Sequence, residues 1–343
     1  MQTGCRQFAP HVKCLAGLTS VTETSGKPAI GLWKKRASLP VNTHSREDLV
    51  LASKDTEHPM DELLRARLRI PEGADLPLAL LRGFMYSVDA VLRKTTGQAF
   101  FALREAEDVL RDLKGKTGND LIRAMLERNG GTTLNARGLE NVPSEGAVII
   151  ASTHPIGTFD FLAHAGALKA HRPDLKVVAN REAERFLGRE GIVAVDFDRK
   201  DKVLTARQTR DGMMNHLGNG GALLVFGSGK VPDMKDGLLV EPPWRPGVTR
   251  MSAASDTMII PASPDMRNSR HYYRTRKLAR ILSGNNAYIG REFASLRYSS
   301  ELLSKLGGSY DMHYGAPIAP GTAPEVLQEI AETLVPGLYR HPD

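Results

Sequence analysis

In the stretch Ala147-Val148-Ile149-Ile150-Ala151-Ser152-Thr153-His154-Pro155-Ile156-Gly157-Thr158-Phe159-Asp160, an apolar run leads into a turn that carries a histidine and a carboxylate. The run is typical of a buried strand. A continuous helix would place His154 and Asp160 on different faces. Pro155 fixes its own φ and Gly157 accepts backbone conformations that other residues avoid, so the turn can fold the carboxylate back beneath the imidazole.

The histidine and the carboxylate of this turn form a candidate catalytic pair. Imidazole has an ordinary pKa close to neutrality, and a neighbouring carboxylate can fix its tautomer and stabilise the imidazolium. His154 is therefore a candidate general base that activates a hydroxyl group, with Asp160 as its orienting partner. The alternative interpretation is a strand-to-helix turn with a surface histidine and a capping aspartate.

The pattern around the turn predicts an α/β fold, with a mixed, mostly parallel sheet flanked by helices and an N-terminal helical preface. Strands are predicted near 147–152, 176–179, 192–195, 222–226, 258–262 and 311–314. Helices are predicted over 161–170, 183–187, 202–217, 248–255, 270–282 and 324–334. Three segments follow: a flexible arm over 1–58, the helical preface over 59–130 and the α/β domain over 131–343.

Charge and composition restrict the function classes. The formal charge of +7 and the pI of about 9.4 indicate an anionic partner, which could be nucleic acid, phospholipid headgroups or an acidic carrier protein. Cys5 and Cys14 both precede the expected core, so a disulfide framework or cysteine zinc site is not expected there, which fits a reducing cytoplasm. No apolar run is long enough to span a bilayer, and a secretory signal is not expected. The histidines show no metal-ligand spacing, so no metal is predicted.

Further motifs accompany the turn in a fixed order along the chain. They are Gly138-Leu139-Glu140-Asn141-Val142-Pro143, Val195-Asp196-Phe197-Asp198-Arg199, Phe226-Gly227-Ser228-Gly229-Lys230, Ile259-Ile260-Pro261 and Tyr314-Gly315-Ala316-Pro317-Ile318. With the histidine turn, this order resembles the glycerolipid acyltransferase superfamily, the PlsC-like proteins, over about residues 130–335. Several weak motifs in one order are far more specific than any one of them.

The resemblance implies an O-acyltransferase of the 1-acylglycerol-3-phosphate type. Such an enzyme moves a fatty acyl group from acyl-CoA or acyl carrier protein (acyl-ACP) to the hydroxyl of a lysophospholipid-type acceptor, in phospholipid or membrane-lipid biosynthesis. It also implies that His154 is the base and Asp160 its orienter, and that no cofactor is needed beyond the acyl thioester.

The same resemblance implies residues that hold the acceptor's anionic headgroup. They are Arg181, Arg199 and the loop Gly227-Ser228-Gly229-Lys230, whose glycines let backbone amides approach a phosphate or an oxyanion. The loop matches neither a Walker A motif nor a nucleophile elbow. The alternative interpretations are a plain strand exit for the loop and a solvated charge run around Arg199.

The chain departs from the family pattern at two places. Five residues separate His154 from Asp160 where four are commonest, and Gly227 and Ser228 replace the usual Pro and the frequent Glu of the loop. These departures keep two rival functions open. One is a non-catalytic lipid-binding or scaffold protein that retains the fold, and the other is an acyl-thioester or lipid hydrolase.

Two segments indicate contact with an anionic membrane surface. Residues 76–92 carry a wide apolar stripe that suits either an interfacial helix or core packing. Residues 267–280 combine cations with aromatics, which suits an anionic bilayer, an acyl-carrier docking face or an exposed basic helix. Nucleic acid is not an expected partner, because no recognition motif accompanies the basic stretch. The expected location is cytoplasmic, peripheral on the inner face of the cell membrane.

Overall fold

A computed structural model describes residues 58–68, 70–168, 170–180, 189–195 and 202–340. The predicted N-terminal arm lies outside the described residues, apart from residue 58, as does the predicted helix over 183–187. Arg181 and Arg199 also lie outside them.

Helices and strands alternate after an all-helical start. The helices are α1 (Pro59–Leu68), α2 (Asp75–Thr96), α3 (Leu103–Asp112), α4 (Gly118–Leu126), α5 (Thr158–Leu168), α6 (Lys202–Gly218), α7 (Gly247–Ser255), α8 (Arg270–Leu282), α9 (Ala287–Ser295), α10 (Tyr298–Lys305) and α11 (Pro324–Thr333). The strands are β1 (Thr133–Arg137), β2 (Val148–Ser152), β3 (Lys176–Asn180), β4 (Ile192–Val195), β5 (Ala222–Phe226), β6 (Asp233–Lys235), β7 (Leu238–Val240), β8 (Ile259–Pro264) and β9 (Ser309–Tyr314).

Seven strands of the described chain form one sheet in the order β1-β9-β8-β2-β5-β3-β4. Neighbouring strands run parallel except β8 and β9, which are antiparallel. This confirms the predicted mixed, mostly parallel sheet. The strands β6 and β7 form a separate hairpin whose turn, Asp236 and Gly237, has positive φ at both residues, as a two-residue hairpin turn requires.

The strand β2 lies in the middle of the sheet and is fully buried along its length. Its side chains alternate between two cores. Val148 and Ile150 pack with residues of α4 and α5 on one face, whereas Ile149 and Ala151 pack with residues of α6, α7 and α11 on the other. Burial on both faces explains why the sequence shows an uninterrupted apolar run here rather than an alternating pattern.

The six predicted strands all appear, and the sequence pattern missed three strands and two helices. The strand β1 and the short hairpin strands are polar or half-exposed, so they carry no apolar run. The helices α9 and α10 were not predicted, because each contains fewer than ten residues and has a mixed pattern. Leu303 of α10 packs against both the core of the helical preface and the main core under the sheet.

The helix α2 presents apolar side chains on two opposite faces, one buried and one exposed, so core packing accounts for only part of the 76–92 stripe. Leu78 and Met85 are buried in a core with α1 and α3. An outward face carries four large apolar side chains that are more than half exposed: Leu76, Leu80, Phe84 and Val91. None of the helices in the described part of the chain is both long enough and apolar enough to cross a bilayer.

Candidate active site

The histidine turn and the glycine loop meet at one edge of the sheet. The turn follows β2 and the loop follows β5, and these strands are parallel neighbours in which Ser152 pairs with Phe226. The carboxyl ends of parallel strands form the usual binding edge of an α/β sheet. Two motifs more than seventy residues apart in the sequence therefore lie side by side.

The turn is built around the carboxylate of Asp160. This side chain is fully buried, and its Oδ2 accepts hydrogen bonds of 2.9 Å from the backbone N–H groups of Ile156 and of Gly157. Gly157 has a φ of 105°, which side chains with a Cβ rarely adopt. Because Asp160 lies in the first turn of α5, the positive end of the helix also favours its negative charge.

The same carboxylate oxygen lies beside the imidazole of His154. The distance from Nδ1 of His154 to Oδ2 of Asp160 is 2.9 Å, although the sequence places five residues between them. The ring stacks on Phe226 with 4.1 Å between centroids and 25° between planes. The side chain is 18% exposed, and Nδ1 is buried, so Nε2 is the ring nitrogen that can meet a substrate.

A second histidine supports the site from within the core. Burial, together with the nearby His154, lowers the pKa of His164 to about 3, so its ring is neutral at physiological pH. The Ser152 hydroxyl donates to the Thr153 carbonyl, so it accepts from Nε2 of His164 at 2.9 Å. Nδ1 then accepts from the Tyr314 hydroxyl at 3.1 Å. This fixed neutral ring lies 6.2 Å from the ring of Phe226, on which His154 stacks.

Residues that follow β8 form hydrogen bonds and packing contacts with the histidine turn. The side-chain amide of Asn268, which is buried, donates to the carbonyls of Pro155 at 3.1 Å and of Ile156 at 3.2 Å. Tyr298, at the start of α10, lies against Gly157, where an added Cβ would be 3.6 Å from its ring. The geometry of the turn therefore depends on contacts from distant parts of the chain.

The glycine loop is packed more tightly than its sequence suggests. A Cβ on Gly227 would collide with the indole of Trp244, so the usual proline of the family pattern would not fit here. Most of the loop's amides already have partners: Gly227 donates to Ser152, Gly229 to Phe226, and Lys230 to the Ser228 hydroxyl. Most of these N–H groups are therefore not free to donate to an oxyanion, contrary to the expectation for the whole loop. Among the amides of Gly227, Ser228, Gly229 and Lys230, that of Ser228 has no hydrogen-bond partner within the described residues.

A carboxyl group reaches the loop from elsewhere in the chain. The hydroxyl of Ser228 lies 2.7 Å from Oε1 of Glu241, which follows β7 and is buried. Burial, together with the nearby Glu332 and Asp160, raises the pKa of Glu241 to about 8. At neutral pH the protonated carboxyl donates to Ser228, whose own hydroxyl donates to the carbonyl of Lys230 at 3.0 Å. The carboxyl group missing from the loop sequence is thus supplied by tertiary structure.

Three cations converge beside the loop. The pKa of Lys230 is lowered by burial and by the positive charges of Arg291 and Arg245. The backbone N–H of Arg245 donates to Gly227 at 3.0 Å. Within the described part of the chain, none of these three side chains forms an ion pair with a carboxylate. Like charges held together without counter-charges form a candidate anion site.

Comparison with known proteins places the chain in a family. The family described as "Acyltransferase" matches residues 86–331, which is well over half of the 343-residue chain. The chain belongs to this acyltransferase family. The match begins within α2 and ends within α11.

The chain is also similar to two named lipid acyltransferases. It is 23% identical over 219 residues to a lyso-glycine lipid O-acyltransferase from Phocaeicola vulgatus, a match that covers 61% of this chain and 72% of the relative. A crystal structure of the 1-acyl-sn-glycerophosphate (LPA) acyltransferase PlsC from Thermotoga maritima aligns with a TM-score of 0.39 and 15% identity. That alignment covers 75% of this chain and 94% of that chain.

Several residues of the acyltransferase site were not found from the sequence. Phe226 was predicted as the strand end that opens the glycine-loop motif, but its stack on His154 was not predicted. Glu241, Asn268 and Arg291 carried no local signal, because each reaches the site from an element outside the motifs. Arg181 and Arg199 stay predictions, since they lie outside the described residues.

The wild-type acyltransferase should lose stability as the pH rises, and Glu241→Gln should abolish this loss. The unfolded carboxyl ionises above its ordinary pKa of 4.5, whereas the folded one stays protonated to about 8. The free energy of unfolding contributed by this group is therefore complete below pH 4.5 and falls as the pH rises to about 8. Between pH 5 and pH 8 the wild-type Tm should fall, relative to Glu241→Gln, by roughly 5–10 °C.

The measurement is thermal unfolding of both proteins across this pH range. Glu140→Gln, at an exposed position, is the matched control and should follow the wild type. Parallel curves for Glu241→Gln and the wild type would show that Glu241 does not titrate in this way.

Proposed function

We propose that this acyltransferase moves a fatty acyl group from acyl-CoA or acyl-ACP to the hydroxyl group of a lysolipid. The contact between His154 and Asp160, 2.9 Å long, is the observation that carries the proposal, because it leaves Nε2 of the partly exposed ring as the base. The name of the Phocaeicola vulgatus relative, a lyso-glycine lipid O-acyltransferase, supports a lysolipid acceptor.

In the proposed reaction, Nε2 of His154 takes the proton of the acceptor hydroxyl while that oxygen attacks the carbonyl carbon of the acyl thioester. The negative charge of Asp160 stabilises the imidazolium that forms. The carbon–sulfur bond then breaks, and the imidazolium returns its proton to the departing thiolate. The products are the acylated lipid and the free thiol, and no acyl-enzyme intermediate is needed.

The free N–H of Ser228 and the ammonium of Lys230 are the proposed stabilisers of negative charge beside the base. The ammonium lies with Arg245 and Arg291 near the loop, so this cluster would hold the anionic headgroup of the acceptor. Arg181 and Arg199 remain additional headgroup candidates from the sequence pattern.

Lys230→Met should weaken binding of an anionic acceptor more than it slows the chemical step. Loss of one charge-assisted hydrogen bond corresponds to a rise in acceptor KM of roughly tenfold to a hundredfold. Initial rates at varied lysolipid concentration measure this effect. Lys235→Met, on the exposed part of β6, is the matched control and should leave KM unchanged. A large fall in kcat with an unchanged KM would argue against a role in acceptor binding.

One assay separates the proposed transfer from its rivals. The protein is incubated with labelled acyl-CoA or acyl-ACP and a panel of lysolipids, in parallel with His154→Ala. An acylated lipid that depends on His154 supports transfer. Free fatty acid alone indicates hydrolysis, and lipid binding without turnover indicates a scaffold, so either result would overturn the proposal.

The proposed place of action is an anionic membrane surface, in the cytoplasm and on the inner face of the cell membrane. A lysolipid acceptor resides in a bilayer, so the enzyme must approach that surface. The outward apolar face of α2 suits such contact. Because the opposite face of α2 is buried in a core, substitution of outward side chains tests this role better than deletion of the helix.

A further inference from the structure

The helices α8 and α9 form a hairpin with an apolar outer surface. Five large apolar side chains on it are between 48 and 77% exposed: Leu278, Ile281, Leu282, Tyr288 and Phe293. On α8, the helical repeat places Leu278, Ile281 and Leu282 opposite the buried Tyr272 and Tyr273. A helix that packs on one face and exposes large apolar residues on the other is typical of a binding surface.

Cations flank this apolar surface. Residues 270–295, the two helices and their connection, contain six cations and a single acidic residue, Glu292; the cations are Arg270, Arg274, Arg276, Lys277, Arg280 and Arg291. Arg276 and Arg280 lie near Asp233, at 3.6 and 3.8 Å. Arg270, Arg274 and Lys277 are exposed and pair with no carboxylate in the described part of the chain. These three lie on the outward half of α8, beside the apolar side chains.

The hairpin and the residue before it form hydrogen bonds with the histidine turn and with the segment that follows the glycine loop. Asn268, just before α8, binds the carbonyls of the histidine turn. The guanidinium of Arg276, on α8, donates to the carbonyls of Val231 at 3.2 Å and of Pro232 at 2.7 Å, directly after Lys230. In α9, a Cβ on Gly290 would lie 2.8 Å from the carbonyl of Arg276, so the two helices are in close contact. A partner bound to the hairpin would therefore lie near the histidine turn and the glycine loop.

We propose that the α8–α9 hairpin, residues 270–295, docks on an anionic lipid bilayer and supplies the preference for anionic lipid. Apolar side chains that protrude beside unpaired cations match a bilayer, where the chains enter the acyl boundary and the cations meet headgroup phosphates. An acidic carrier protein would be held by the cations alone, without a use for the five apolar side chains. The inference builds on the proposed lysolipid acceptor.

The helix α2 provides the internal comparison. Its outward face is apolar, but Arg82 pairs with Asp61 and Arg93 pairs with Glu105. Two of its three cations are therefore neutralised by protein carboxylates, and the third, Lys94, is exposed. We expect α2 to distinguish anionic from neutral bilayers less than the hairpin does.

The test is vesicle co-sedimentation of the full chain and three triple variants. The vesicles contain phosphatidylcholine alone or phosphatidylcholine mixed with phosphatidylglycerol. The charge variant combines Arg270→Gln, Arg274→Gln and Lys277→Gln. It should reduce the preference for the mixed vesicles by roughly tenfold to a hundredfold. Leu278→Gln with Ile281→Gln and Leu282→Gln should weaken binding to both. Leu76→Gln with Leu80→Gln and Phe84→Gln should leave the preference for mixed vesicles intact.

Several results would overturn the inference. They are a wild-type chain that ignores phosphatidylglycerol, hairpin variants that bind as the wild type does, and a preference lost only in the α2 variant. Loss of binding to acyl carrier protein in the charge variant, with vesicle binding unchanged, would assign the surface to that protein instead. Unfolding curves that match the wild type exclude misfolding. Acyl transfer to detergent-solubilised lysolipid is measured separately, so this inference and the proposed function can fail independently.

Discussion

His154→Ala should lower kcat/KM for acyl transfer by about 10²–10⁴-fold, because it removes the proposed base. The protein fold should be retained, since the ring is partly exposed and its main contact with a side chain other than Asp160 is the stack on Phe226. The measurement is the initial rate of lipid product formation with the best acceptor of the panel.

The matched control for this variant is His58→Ala, which removes a histidine near Glu107 in the helical preface. Its rate should equal that of the wild type. Product formed by His154→Ala at the wild-type rate would refute the proposed base. A proportional fall in both rate and folded fraction would show only a structural effect, so the unfolding curve is recorded alongside.

Asp160→Asn is expected to lower kcat by about 10²–10⁴-fold with little change in acceptor KM, because the amide keeps the shape of the carboxylate but lacks its charge. An amide oxygen at the position of Oδ2 can still accept from the backbone of Ile156 and Gly157. The imidazolium of His154 would lose its counter-charge. The amide nitrogen would be buried at the position of Oδ1, which has no partner, at a cost to stability of about 1–3 kcal/mol.

The split between kcat and KM distinguishes this role from a structural one. A residue that only shapes the turn would affect acceptor binding and unfolding more than the chemical step. Asp236→Asn is the matched control, because Asn suits the same hairpin turn and the side chain of Asp236 is 75% exposed. Wild-type kcat in Asp160→Asn would show that the charge of Asp160 is not used.

The strands could be predicted because their cause is local. The buried strands β2, β5 and β8 lie in the middle of the sheet, so they appear in the sequence as continuous apolar runs with β-branched residues. The strand β1 lies at the sheet edge and is half-exposed, so its residues carry no such pattern. The same reason explains the missed hairpin of β6 and β7.

The candidate base and its partner could also be predicted, because turn and carboxylate are close in the sequence. The unusual spacing raised the question whether Asp160 reaches His154, and the tertiary structure places the two side chains 2.9 Å apart. The left-handed backbone of Gly157 and two hydrogen bonds to Asp160 make the longer turn fit. Their catalytic roles remain the prediction that the variants above test.

The carboxyl group beside the loop could not be predicted. Ser228 replaces the expected carboxylate in the motif, and Glu241 approaches it from the end of β7, thirteen residues later. Its direction is set by the short β6–β7 hairpin, which the sequence pattern missed. The cations around Lys230 depend in the same way on α9, which carries Arg291.

The α/β class, the central strands, the family resemblance and the pair His154 and Asp160 could all be predicted from the sequence, because buried runs and short turns are local properties of the chain. The other side chains of the site could be identified only from the folded structure. Glu241, Asn268 and Arg291 reach the two loops from separate elements, and their positions depend on how the helices and the hairpin pack on the sheet. Packing also decided which apolar side chains of α2 and α8 face solvent, since a sequence stripe does not distinguish a buried face from an exposed one.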